Sequence, residues 1–190
     1  MSNEIAINDY DNSILQADDL IGEILGILQD RGYLQNAVVV ISADHGEQLG
    51  ERGLFGHGTS LDGESLNVPL IIVDPTLSRA HRLPYARQID IAPTVAACLG
   101  LSPPPSWEGE SLLTTTPAES FHQTMVSQPL EAVIWRSTQG TYKYVFDTVS
   151  RSESLFELDQ DPAELSNLID RAEPGVVTPL RAARAQNFSG

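Results

Sequence analysis

The sequence predicts an α/β protein, with a mixed β-sheet layered between helices and a small C-terminal antiparallel hairpin plus helix. Three observations point there. Apolar residues recur with a helical period from Asp11 to Arg31. A nearly continuous apolar run follows at Ala37–Ala43, and a second short one lies at Val68–Val73. Helix, short loop and buried strand in succession are the parts of a layered α/β architecture.

Each element has its own justification. In the first helix Ile14, Leu15, Ala17, Leu20, Ile21, Ile24, Leu25 and Leu28 hold the period, and Gly32 reads as its C-cap. Gly22 and Gly26, four residues apart inside it, leave room for a close neighbour. The branched residues of Ala37–Ala43 predict a strand covered on both faces, as in a parallel or mixed sheet. From Asp44 to Glu64 the chain is polar and glycine-rich, and a loop of that length in a compact domain is usually functional. Pro69 fits the start of the second strand. Arg87–Leu99 predicts a loop and a short helix, capped by Asp90 with Pro93 in its first turn. Ser102–Ser106, with three consecutive prolines, is a stiff connector.

Ala132–Arg136 and Tyr142–Phe146 flank Gln139-Gly140 as an antiparallel hairpin. Asp161-Pro162-Ala163-Glu164 has the N-cap, Pro and acid of a helix start, ending near Asp170. Residues 172–190 read as a frayed tail. The expected organisation is an α/β domain over 1–101, a connector over 102–130, an α+β subdomain over 131–171 and the tail.

Composition narrows the function. The chain has 190 residues, 11 basic and 26 acidic, for a formal charge of −15. That charge argues against nucleic acid and anionic lipid as partners, because phosphates would be repelled. Lys143 is the only lysine; this fits either a GC-rich genome or a halophile, whose salty cytoplasm screens a high negative charge. The single cysteine, Cys98, excludes an intrachain disulfide and a multi-cysteine zinc site. No apolar run approaches the roughly 20 residues that span a bilayer. Met1–Tyr10 has neither the basic start nor the apolar stretch of a secretory leader, so a cytoplasmic location is expected.

Chemistry concentrates at the end of the first strand, in Ser42-Ala43-Asp44-His45-Gly46-Glu47, with Gly56-His57-Gly58 returning shortly after. Ligands of open α/β sheets bind beyond the carboxyl ends of strands. Asp44 and His45 offer a carboxylate oxygen and an imidazole nitrogen on adjacent residues, and Gly46 eases the sharp turn needed to aim both at one ion. Mixed O and N ligands suit Zn or Mn better than Ca. His57, between two glycines, could join the metal shell or hydrogen-bond an anion. Glu47 reads as a helix cap or a solvated carboxylate. His81 and His122 are assigned to the surface, Arg87 and Lys143 to solvent, and Tyr85, Trp107 and Trp135 to packing.

Several segments together resemble a known family. Tyr10-Asp11-Asn12-Ser13-Ile14, Asp18–Gly22, Val38–Leu49, Gly56-His57-Gly58 and Asn67–Ile72 are similar to the C-terminal half of the sulfatase family, within the alkaline phosphatase superfamily. Gln88–Thr94, Trp107–Leu112, Tyr142-Lys143-Tyr144, Leu155–Leu158 and Asp161–Glu164 continue the match in family order over residues 9 to 170. The resemblance implies an alkaline phosphatase-like fold and hydrolysis of small-molecule sulfate esters. It implies that Asp44 and His45 are metal ligands, that His57 contacts the sulfate or phosphate group, and that the cofactor is a divalent ion, Ca, Mn or Zn. Asp-His at the metal pair also occurs in relatives acting on phosphoryl groups, so phosphate esters and phosphoethanolamine transfer stay open. A non-catalytic metal- or anion-binding module is the remaining alternative.

The family nucleophile, in Cys/Ser-x-Pro-x-Arg, has no match here. Cys98 lacks the pattern, and Ser102 has Pro104 but Ser106 in place of Arg. The resemblance therefore implies half an active site, inactive alone, with a separate chain supplying the N-terminal half.

Overall fold

The computed structural model describes residues 3–77, 80–124 and 129–188. Its α/β elements fall into two compact units. The first comprises Met1–Asp44, Gln48–Phe55 and Pro69–Thr116; the second comprises His45–Glu47, Gly56–Val68 and Pro117–Gly190.

In the first unit, helix α1 (Asn3–Asp30) begins well before Asp11. Strand β1 (Val39–Ser42) follows, and β2 (Gln48–Leu49) and β3 (Phe55–Gly56) form a small ladder around the turn Glu51–Gly53. After α2 (Gly63–Leu66), which belongs to the second unit, strand β4 (Leu70–Val73) of the first pairs antiparallel with β1, with Val39 opposite Val73 and Ser42 opposite Leu70. The expectation that β1 is covered on both faces fails: Val39, Val40 and Ile41 are half-buried and Ser42 is exposed. Its sheet has two strands, and Ile71 and Val73 of β4 are themselves about half exposed.

Helix α3 (Ile91–Cys98) follows the turn Gln88–Asp90, with Pro93 buried in its first turn. Asp90 does not cap it with its side chain. The carboxylate instead accepts two bonds from Arg87, at 2.8 and 2.7 Å, and the Glu110 amide at 2.9 Å, while the Asp90 carbonyl accepts the Thr94 hydroxyl at 2.6 Å. Asp90 is fully buried, so its charge needs that fork. Arg87 is accordingly not a solvated arginine; the bond to Asp90 holds its pKa up.

The second unit contains the predicted hairpin, enlarged to an antiparallel sheet in the order β5 (Glu119–Gln123), β6 (Leu130–Ser137), β7 (Gly140–Asp147), β8 (Glu153–Glu157). Ser137 opposite Gly140 sets the β6–β7 register. Val133, Tyr144, Phe146 and Leu155 from the sheet form one core with Val176, Val177 and Leu180.

Those last three belong to α4 (Pro174–Phe188), so the reading of 172–190 as frayed is corrected. Pro174 opens the helix, where its missing N–H costs nothing. Arg184 reaches Glu131 at 2.5 Å and stacks over Phe146 at 3.8 Å. Arg181 pairs with Glu153, which also accepts the Tyr144 hydroxyl at 2.7 Å.

The expected helix at 161–170 does not form. Asp161 does accept backbone amides, from Leu165 at 3.1 Å and Ser166 at 2.8 Å, but Glu164 has φ +56°, outside any right-handed helix. The segment then runs beside β8, where Leu168 N–H donates to Leu155 O at 2.8 Å. Two surface assignments are also corrected. Lys143 is buried, its ammonium 2.6 Å from Glu164. His122 is half-buried and bonds the Ser120 hydroxyl at 2.7 Å. Burial first, then the Lys143 charge, pushes its pKa down to about 4.

Candidate active site

The glycine-rich stretch that follows β1 gathers three side chains. His45, Glu47 and His57 each offer one ligand atom, and these lie within 4.8 Å of one another. All three belong to the second unit. His45 and His57 are exposed and Glu47 is half-buried. Glu47, read from the sequence as a helix cap or a solvated carboxylate, instead joins the two histidines.

Hydrogen bonds assign both imidazole tautomers. His45 Nδ1 lies 2.9 Å from the Gly46 carbonyl, which only accepts, so Nδ1 carries the proton. His57 Nδ1 lies 2.8 Å from Glu47 Oε2 and donates to that carboxylate. In the neutral ring this leaves the lone pair on Nε2, as in metal-binding histidines oriented by a carbonyl or a carboxylate. The two rings stack with centroids 3.9 Å apart.

The glycines act differently from their sequence reading. Gly46 is required by space: a Cβ there would sit 1.9 Å from the Glu64 carbonyl oxygen. Gly56 and Gly58, expected to allow close approach, meet no backbone; they supply φ of +89° and +82° around His57.

Asp44 is exposed and falls in the first unit, outside this cluster. Its backbone is fixed there, because Gln88 Nε2 donates to the carbonyls of Ala43 at 2.6 Å and Asp44 at 3.0 Å. Gln88 is thus a positioning residue that sequence reasoning noted only as part of a helix motif. Cys98 is no activated nucleophile, since burial, then Asp74, raises its thiol pKa.

A nitrogen-rich set with one carboxylate fits Zn or Mn better than Ca, which prefers all-oxygen shells. Zinc bonds to such ligands are about 2.0–2.2 Å long, so two ligands of one ion lie at most about 4.4 Å apart, close to the 4.8 Å that bounds this cluster.

Comparison with known proteins identifies the fold and the family. A protein solved in complex with its substrate, D-glucosamine-2-N,6-O-disulfate, superposes with a TM-score of 0.78 over 93% of this chain and 39% of that one, at 22% identity. A 2-O glycosaminoglycan sulfatase superposes at 0.63 over 80% and 35%, with 23% identity. The fold is therefore alkaline phosphatase-like. The sulfatase family model matches residues 3–101, and the chain belongs to the sulfatase family. Choline-sulfatase of Rhizobium meliloti is 30% identical over 94% of this chain and 37% of its own length. Arylsulfatase K of Mus musculus is 30% identical over 80% and 30%. The chain spans about a third of the length of these relatives, 37% of one and 30% of the other.

Proposed function

We propose that the chain contributes the metal-and-anion side of a divalent-metal-dependent sulfate ester hydrolase. The observation that carries this reading is the convergence of His45, Glu47 and His57, in a member of the sulfatase family. By the family resemblance Asp44 and His45 are the proposed metal ligands and His57 the residue that contacts the ester's anionic group; the cluster itself brings Glu47, not Asp44, beside His45. A divalent cation held there would supply positive charge to the oxygens of the ester. Glu47 holds the His57 ring by its Nδ1 proton and so aims Nε2 outward. Gln88 steadies the backbone that carries Asp44.

The remaining machinery, including the nucleophile, comes from polypeptide corresponding to the rest of the relatives' length, in the same or a separate chain. The exposed apolar residues of α1, among them Ile14, Leu15, Leu20, Ile24 and Ile27, support such a partner. A phosphoryl-ester substrate is the second reading. It is favoured by the Asp-His pair and by 28% identity to a multifunctional alkaline phosphatase superfamily protein of Trinickia caryophylli, over 84% of this chain and 35% of that protein.

Calorimetric titration of the 190-residue chain with Zn and Mn tests the site. Binding is expected, and at least tenfold weaker in His45→Ala. The chain alone should turn over neither aryl sulfates nor aryl phosphates. Adding the N-terminal half of a relative should produce turnover that Asp44→Ala abolishes, and the better ester class then names the substrate. Turnover by the chain alone, lost in Asp44→Ala, would refute the half-site reading.

A further inference from the structure

Glu164 combines two costly features. Its side chain is buried with Lys143, at 3% and 1% exposure, and its backbone has φ +56°. A buried ion pair is often no more stabilising than apolar residues of the same volume, and a left-handed non-glycine residue is strained. Stability of the sheet therefore does not explain this residue. Its second oxygen suggests what does: Oε1 accepts the Gly63 N–H at 2.8 Å, while Oε2 holds Lys143.

Gly63 opens the one-turn helix α2, which closes on itself through bonds from Ser65 and Leu66 to Asp62 O and from Asn67 to Gly63 O. Ser65 turns its carbonyl to Gly46 N–H at 2.9 Å. Gly46 lies between His45 and Glu47, packed so tightly on Glu64 O that the turn cannot shift without moving it. All these residues belong to the second unit.

We propose that Glu164, its buried charge balanced by Lys143, is a positioning residue for the His45–Glu47–His57 cluster, acting through the Gly63–Leu66 turn and the Gly46 backbone. It rests on the site reading above for its purpose. Glu164 Oε1 anchors α2, Lys143 balances the charge that the buried carboxylate brings, and α2 sets the spacing of His45 and Glu47. Neither Lys143 nor Glu164 touches the substrate in this reading.

Two double variants of the 190-residue chain separate positioning from stability. Lys143→Met with Glu164→Leu removes both charges and the acceptor for Gly63. Lys143→Met with Glu164→Gln removes both charges and keeps a side-chain oxygen there. Both are expected to melt within a few degrees of the parent. The Leu variant should lose at least tenfold of the amide-exchange protection of Gly46, shift the imidazole 15N resonances of His45 and His57, and bind Zn at least tenfold more weakly. The Gln variant should retain all three. Unchanged Gly46 protection and imidazole spectra in the Leu variant would overturn the proposal. Should that variant not fold, loss of Gly46 protection in the Gln variant overturns it equally, and retention upholds it. Absence of Zn binding in the parent counts against the metal reading alone, since exchange and imidazole readouts need no metal.

Discussion

Leu155 and Ile24 are both branched aliphatic residues in regular elements, yet one is fully buried and the other 55% exposed. The contrast extends to the units that hold them. The second unit closes a four-stranded sheet with α4 around Val133, Tyr144, Phe146 and Leu155. The first shows Ile5, Ile7, Ile14, Leu15, Leu20, Ile24 and Ile27 along α1, and Ile71 and Val73 on β4. A helix apolar in so many directions is ordinarily covered. The second unit thus encloses its own core, and the first leaves apolar side chains of α1 and β4 exposed.

The sharpest way to break this comparison is to truncate the core. Leu155→Ala leaves a cavity between β7, β8 and α4 and should cost about 2–5 kcal/mol by chemical denaturation. Ile24→Ala should stay within about 0.5 kcal/mol, because an exposed side chain loses little. Equal losses would mean that α1 is already packed in the isolated chain.

Acid gives the next largest effect, also in the second unit. His122 has its pKa pushed down from 6.5 to about 4, so between those values the unfolded chain takes up a proton that the folded chain refuses. Its contribution is complete above pH 6.5 and falls as pH drops from 6.5 towards 4, by about 3 kcal/mol in all. Stability measured from pH 7 to 4 should show that slope, and His122→Asn should flatten it. A slope unchanged by the substitution would assign the acid sensitivity elsewhere.

These groups also mark where the sequence was legible. The β6–β7 hairpin could be read because its alternation and its Gln139-Gly140 turn are local signals. The cluster's location could be read because His45 and His57 sit in a glycine-rich stretch next to a strand end. Glu164 and Lys143 could not, since each acquires its role from a partner 21 residues away. The N-cap chemistry at Asp161 was real, but it served a turn, because burying Glu164 required the left-handed backbone. Helix α4 was obscured by Pro174 and Pro179, and its stability comes from Glu131, Glu153 and the sheet. Long-range pairing overrides local propensity in both places.

The smallest effect is the most specific test of α1. Gly22 and Gly26 are exposed, with nothing within 4 Å of a Cβ added at either. They share a face with Leu15 by the i, i+7, i+11 spacing. In the isolated chain, alanine at each should therefore stabilise the helix by up to about 1 kcal/mol, since glycine carries only an entropic cost there. If the glycines exist to let a partner approach, the same alanines should weaken association with the N-terminal half of a relative, measured by calorimetry. Stabilisation without loss of association would place the partner on another side of α1. Destabilisation would mean that α1 already has a neighbour, and the contrast between the two units would fall with it.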